Sequence, residues 1–249
     1  MSNWVADLRV RAGELRGNHK TLAERAFATL HGAIIAGGIP PGQRLPIDDL
    51  AEALGMSPMP IREALRGLDA VGLVENIPHR GARVAELSIQ DLQEVYEARL
   101  ALEPLAIRHA AQNFSEDDAS VARAKLETLE AAYTEGSDDD RIWEAHTAFH
   151  FALYTPANSR WLERLITPLW ESSERYRRAT PATRSLRERR SEHRKMLATC
   201  VAGDVEGAGI VLHNHLAYTA NLLAEEMGGS ELFPILEGNN DQASAVEAA

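Results

Sequence analysis

Residues Pro46 to Gly72 read PIDDLAEALGMSPMPIREALRGLDAVG, and the spacing of apolar side chains in that stretch decides what the flanking chain has to be. Leu50, Ala51 and Leu54, then Ile61, Ala64, Leu65 and Leu68, recur at the helical period in two runs broken by Gly55-Met56-Ser57. Glycine accepts the positive φ that closes the first helix, Ser57 is placed to cap the second, and Pro60 falls in its first turn, where a missing N–H costs nothing. Two short helices joined by such a turn form a helix-turn-helix. After Leu73, the run VENI, the turn Pro78-His79-Arg80-Gly81 and the run ARVAEL predict two strands about a glycine tip, a wing beside the second helix.

Working outward, residues 1–19 mix Trp4, Val5 and Leu8 with scattered arginines and carry no strong cap, so a mobile arm is expected. Helical periodicity begins at Leu22, passes through Ala26, Leu30 and Ile34, and stops at Gly37-Gly38; Pro40-Pro41-Gly42 then turns the chain into the helix-turn-helix. A linker is expected at Ala85 to Ser88. Everything after it reads as helix, over about Ile89 to Asn113, Glu116 to Glu135, Asp139 to Tyr154, Ser159 to Ala179, Thr183 to Ala202 and Val205 to Met227. The punctuation is Asn113, Gly136-Ser137, Pro156 to Asn158, Pro181 and Gly203-Asp204. The expected fold is mainly α, an N-terminal winged helix-turn-helix (20–87) followed by an all-α antiparallel bundle (88–228), with a flexible tail at 229–249.

The net charge of −11 divides unevenly: residues 1–85 hold ten Lys/Arg against nine Asp/Glu, so this part stands at +1 and the remainder at −12. A field of that sign weakens non-specific attraction to phosphate, so DNA binding should depend on a dimer aligning two reading heads. No apolar run approaches the length of a membrane span and the N-terminus lacks a signal-type apolar core, which places the chain in the cytoplasm. The single cysteine, Cys200, excludes an internal disulfide and reads as a small buried hydrophobe.

The chemistry of the helical half lies in its histidines. His146 and His150 are four apart in EAHTAFH, so both rings leave one face of a helix. His193 and His215 lie on two later helices with apolar neighbours at helical spacing, which turns them toward the bundle interior. Four imidazoles from three helices suit a divalent metal, zinc first, with nickel or manganese next. A lone pair at this spacing is more often incidental; it is the set of four that argues for a site. Arg99 stands four residues before Glu103, the spacing of a helical ion pair. The arginines between Arg175 and Arg194 read either as a solvated face or as an anion pocket. Asp138-Asp139-Asp140 reads as N-terminal helix charge rather than a metal site. Against a metal-dependent enzyme stand the absence of HExxH, GxSxG, a Walker loop and the Glu-x-x-His pair of di-iron bundles.

LHGAIIAGGIPPGQRL at 30–45, SPMPIREALRGLDAVGLVE at 57–75 and PHRGARVAEL at 78–87 resemble, from about Leu22 to Leu87, the winged-helix domain of GntR-type transcriptional regulators. Ile89 to about Met227 resembles the FCD effector-binding domain of the FadR branch of that family, through YEARLALEPLA at 96–106, AHTAFHFALYTPAN at 145–158, EHRKMLATCVAGD at 192–204 and VLHNHL at 211–216. The resemblance implies DNA reading by Ser57, Arg62, Arg66, Arg80 and Gly81, with Pro58 and Gly67 in slots where the family usually or often has arginine. It also implies a divalent metal on one aspartate and three histidines; the histidines match His150, His193 and His215, and His146 holds the aspartate slot. Arg99 matches an arginine near the effector pocket. The function so implied is that of a homodimeric regulator, most often a repressor, that binds palindromic operator DNA and responds to a small carboxylic or sugar acid. Metal-dependent catalysis in the bundle and an effector-independent DNA-binding protein are the alternatives.

Overall fold

The computed structural model describes residues 3–14, 21–78, 80–135, 139–180 and 186–237. His79 at the wing, Gly136-Ser137-Asp138, Pro181, Arg184, the side chains of Asp139 and Arg187, and the tail from 238 onward lie outside the described residues. The chain forms two compact units, Met1–Asp91 with Glu171–Pro181, and Leu92–Trp170 with Ala182–Ala249.

The first unit opens with helix α1 (Asn3–Glu14), which corrects the expected arm: Trp4 and Leu8 are buried in the core with Leu30, Leu50 and Leu54. Helix α2 (Leu22–Ile35) starts at a capping box in which the Thr21 hydroxyl accepts from the Glu24 N–H and the Glu24 carboxylate accepts from the Thr21 N–H. Strand β1 (Arg44–Leu45) is followed by α3 (Ile47–Leu54), which ends where Gly55 takes a φ of 62°. Helix α4 (Pro58–Ala70) then buries Ile61, Ala64, Leu65 and Leu68, the run read from the sequence. Its Ser57 makes no side-chain capping bond, contrary to expectation; Pro60, at the third helical position, has no N–H for a cap to accept. Strands β2 (Val74–Ile77) and β3 (Gly81–Val84) form the expected wing, with Glu75 opposite Arg83 and the Arg83 guanidinium donating to Glu75 at 2.8 and 2.9 Å. The sheet has a third, unforeseen strand: β1 pairs antiparallel with β3, giving the order β1-β3-β2.

The expected linker is tied down within this unit. The Ser88 hydroxyl accepts from the Asp91 N–H and so caps α5 (Ile89–Ala111). The Ala85 carbonyl accepts from Arg175, and the Tyr176 hydroxyl donates to Asp91 at 2.5 Å. Both contacts come from the C-terminal half of α8 (Arg160–Ala179).

The second unit is helical. Beyond α5 it holds α6 (Glu116–Glu135), α7 (Asp139–Tyr154), a 3-10 turn (Thr155–Ala157), the first half of α8, α9 (Leu186–Val201) and α10 (Val205–Glu226). Ser115 and Asp118 cap α6 reciprocally, and the Asp204 carboxylate accepts from the Gly207 N–H at the start of α10. Asn158 takes a φ of 49° where the chain turns into α8. The tail departs from expectation in its described part. Residues 229–237 run back along α10, where Asn221 accepts from the Leu232 and Phe233 N–H groups and donates to the Phe233 carbonyl, and Asn214 pairs both backbone groups of Leu236. Phe233 is buried beneath this strap.

Candidate metal centre and nucleic-acid interface

On α7 the four-residue spacing sends His146 and His150 off one face, with ring centroids 4.5 Å apart. His193 of α9 lies 5.3 Å from both rings, and His215 of α10 lies 5.2 Å from those of His150 and His193. All four are buried, and their ligand-capable nitrogens fall within 4.8 Å of one another. Two nitrogens on one ion at ~2.1 Å stand at most ~4.2 Å apart, so the rings need to draw in only slightly to share an ion. The residues therefore fit a divalent metal. Trp170 covers the cluster, with its ring 5.4 Å from His146 and 4.9 Å from His150, and Phe149 meets His193 edge-on at 5.3 Å. Side chains packed on the rings in this way leave little freedom for them to turn.

Two carboxylates, Glu192 and Glu103, stand behind the histidines, in roles that the sequence reading did not assign to them. Glu192 accepts from His215 Nδ1 at 2.7 Å, which fixes that tautomer and turns Nε2 toward the cluster. Tyr154 donates its hydroxyl proton to Glu103 at 2.8 Å, so its oxygen is left to accept from His150 Nδ1 at 3.3 Å. Glu103 is in turn held by Arg99 through bonds of 2.5 and 3.2 Å, with both side chains buried. Burial, the largest single influence, opposes the Arg99 charge, but the charge and hydrogen bond of Glu103 together with Tyr96 and Tyr154 outweigh it and raise the guanidinium above its ordinary value. Burial first, and Glu103 second, push the Tyr154 phenol well above its usual range, so it stays a proton donor. Arg99 takes the ion-pair geometry, stacked at 4.9 Å on Tyr96 and 4.8 Å on Trp170.

Each partner had a signal in the chain: Glu192 precedes His193, Tyr154 is four residues past His150, and Glu103 is four past Arg99. His213 turns away from the cluster and bonds the Pro234 carbonyl. The arginine run is largely engaged on helix surfaces. Arg194 pairs with Glu130, Arg190 bonds Thr134 and the Glu130 carbonyl, Arg189 lies over Tyr133, and Arg177 meets Glu174.

A cavity of about 450 Å3 lies between α9, α10 and the strap, with Glu192, Lys195, Thr199, His215, Tyr218 and Ile235 among its lining residues. A smaller one of about 180 Å3 rests against Tyr154 and Ile166 and has no histidine in its wall. Cys200 is buried with its thiol pushed up to about 12 by burial, which makes it a poor nucleophile and ligand at neutral pH.

In the first unit, Ser57, Arg62, Arg66, Arg80 and Gly81 are all exposed, on the outer side of α4 and at the wing tip. Gly81 has a φ of 80°, a conformation that side chains disfavour. Gly67 faces the other way. A Cβ there would meet the Phe27 ring at 3.0 Å, so a side chain at this position would require that ring of α2 to give way.

A winged helix presenting an exposed helix-turn-helix, together with a helical unit that gathers four buried histidines, is the architecture of a DNA-binding regulator with a second, helical domain. Comparison with known proteins supplies the family. Residues 22–84 match the model "Bacterial regulatory proteins, gntR family" and residues 94–218 match the FCD domain, so the chain belongs to the GntR family of transcriptional regulators, in its FCD-bearing branch. It is 31% identical to the HTH-type transcriptional regulator BphR of Paraburkholderia xenovorans over 84% of this chain and 87% of that protein. It is 28% identical to the HTH-type transcriptional repressor GlaR of Escherichia coli, covering 82% of this chain and 96% of that one. The solved structure of E. coli McbR/YncC superposes with a TM-score of 0.72 at 28% identity, covering 84% of this chain and all of that one. These relatives are regulators rather than enzymes, and so is this protein. No helix among the described residues is long and apolar enough to cross a membrane.

Proposed function

We propose that the protein is a cytoplasmic, homodimeric repressor. It binds a palindromic operator through Ser57, Arg62, Arg66, Arg80 and Gly81, and its operator affinity changes when a small carboxylic or sugar acid binds near a divalent ion held by His146, His150, His193 and His215. The observation that carries the sensory half is the buried convergence of these histidines with a carboxylate or phenol behind two of them. The name of GlaR supports the repressor sign.

When bound, the ion supplies positive charge toward an anionic ligand. The chain's own residues do the rest. Glu192 and Tyr154 orient their histidines, Glu103 holds Tyr154, and Arg99 neutralises Glu103. The cavity that shares His215 offers the effector room beside the cluster, and Lys195 brings a cation to its wall. On the DNA side, exposed arginines on α4 and at the wing provide base and phosphate contacts, and symmetry between two copies supplies the length of site that one winged helix lacks.

The test uses untagged full-length protein. Elemental analysis should find close to one zinc, nickel or manganese ion per chain after incubation with each metal at micromolar concentration. A duplex selected from a random pool should be palindromic, and a panel of hydroxy, dicarboxylic and sugar acids should include one that weakens its binding. Lack of stoichiometric metal uptake overturns the sensory reading, and failure to enrich any duplex overturns the operator reading.

A further inference from the structure

The first turn of α4 reads Pro58-Met59-Pro60, with Ser57 before it and Arg62 after it. Met59 is 62% exposed, one of the two most exposed large apolar side chains of the described chain, while Ile61, Leu65 and Leu68, on the other face of the same helix, are buried. A single exposed apolar residue ordinarily needs no explanation. This one stands at the end of a helix that, on the operator reading above, enters the major groove first.

The chemistry of that turn narrows what it can read. Neither proline has an N–H, neither has a polar side-chain atom, and the Met59 thioether is at best a weak acceptor. Between Ser57 and Arg62, therefore, the turn cannot read a base by conventional side-chain hydrogen bonds. The major-groove floor offers one apolar feature, the C5-methyl group of thymine. A long, unbranched and polarizable side chain, set between two prolines that stiffen its backbone, is suited to cover such a group.

We propose that Met59 is a specificity-determining residue that recognises thymine methyl groups in the operator. This inference rests on the DNA-binding reading and adds to it the kind of base that α4 selects. Removing water from one methyl contributes about a fourfold preference, so Met59 favours thymine over cytosine, and over uracil, at the base steps it covers.

The test starts from the duplex that full-length protein selects from a random pool. Each thymine is replaced singly by deoxyuridine, which keeps base pairing and removes only the methyl. Wild-type protein should lose about fourfold affinity at one or more such positions per half-site. The M59A variant, whose change lies at an exposed position, should bind the thymine and uracil versions of that site equally. If the wild type tolerates every thymine-to-uracil change within a factor of about 1.5, or if M59A keeps the preference, the proposal is overturned while the operator reading stands. If no duplex is enriched, both fall together.

Discussion

Ser57, Arg62, Arg66, Arg80 and Gly81, the residues proposed to meet DNA, all face solvent, whereas the four histidines and the Arg99–Glu103 pair behind them are buried. The DNA face is assembled locally, from one helix and the wing that follows it. The histidine centre is assembled from α7, α9 and α10, with its supporting groups on α5, α7 and α9. An exposed contact can therefore be removed at a cost to binding alone. A buried one carries stability and function together, because the group left behind keeps its desolvation cost.

The strongest way to break this contrast is Glu103→Ala. It strands the Arg99 guanidinium in a dry site and removes the acceptor of Tyr154, and a loss of ~3–5 kcal/mol in the stability of the helical unit is expected. Urea unfolding followed in chelator isolates this loss from any metal effect. Replacing both partners, Arg99→Met with Glu103→Leu, should recover most of it, since an apolar pair of similar volume carries no unpaired charge. A double variant as unstable as the single one would show that the pair is not what Glu103 supplies.

Arg62→Ala tests the other side of the comparison. It should cost ~1–3 kcal/mol in specific operator binding and leave the melting curve where it was. A lowered melting temperature with unchanged operator affinity would move Arg62 from the DNA face into the fold. Glu192→Gln is intermediate, because Glu192 is partly exposed yet orients a buried ring. It should retain the fold and weaken metal affinity ~10–100-fold, measured by competition with a chromogenic chelator. Affinity within twofold of wild type would assign the bond between Glu192 and His215 to packing alone.

The same contrast explains what could be read from the chain. Helix α4 and the helices of the second unit were legible because their apolar positions repeat over several turns, and their ends carry glycine, asparagine or aspartate. The four histidines were legible because helical spacing fixes which face they leave. Helix α1 was not, since Trp4 and Leu8 become buried only when the rest of the unit supplies a surface for them. Strand β1 is too short for an alternating pattern, and only its pairing with β3 reveals it. Ser57 has the right chemistry for a cap, but Pro60 withdraws one of the two donors a cap would satisfy. The carboxylates behind the histidines were visible in spacing, yet their roles depend on which neighbouring helix each side chain faces.

The smallest effect belongs to the strap, which is neither wholly exposed nor wholly buried. Asn221 uses its carbonyl oxygen to accept from the N–H groups of Leu232 and Phe233 and its amide to donate to the Phe233 carbonyl, all at 2.8–2.9 Å. One side chain thus imitates the edge of a strand, and Asn214, two turns earlier on α10, does the same for Leu236. Each such bond is worth ~1 kcal/mol net, and losing the anchor at Asn221 should ease local opening without touching the bundle beneath. Asn221→Ala should therefore speed hydrogen exchange at the Leu232 and Phe233 amides by roughly 10–30-fold, as ~1.4–2 kcal/mol of local stability implies. Exchange within the buried turns of α10 should stay at the wild-type rate. Unchanged exchange at both strap amides would mean that burial of Phe233 and the clamp at Asn214 hold the segment by themselves; faster exchange along α10 as well would mean that the strap is an integral part of the helical unit.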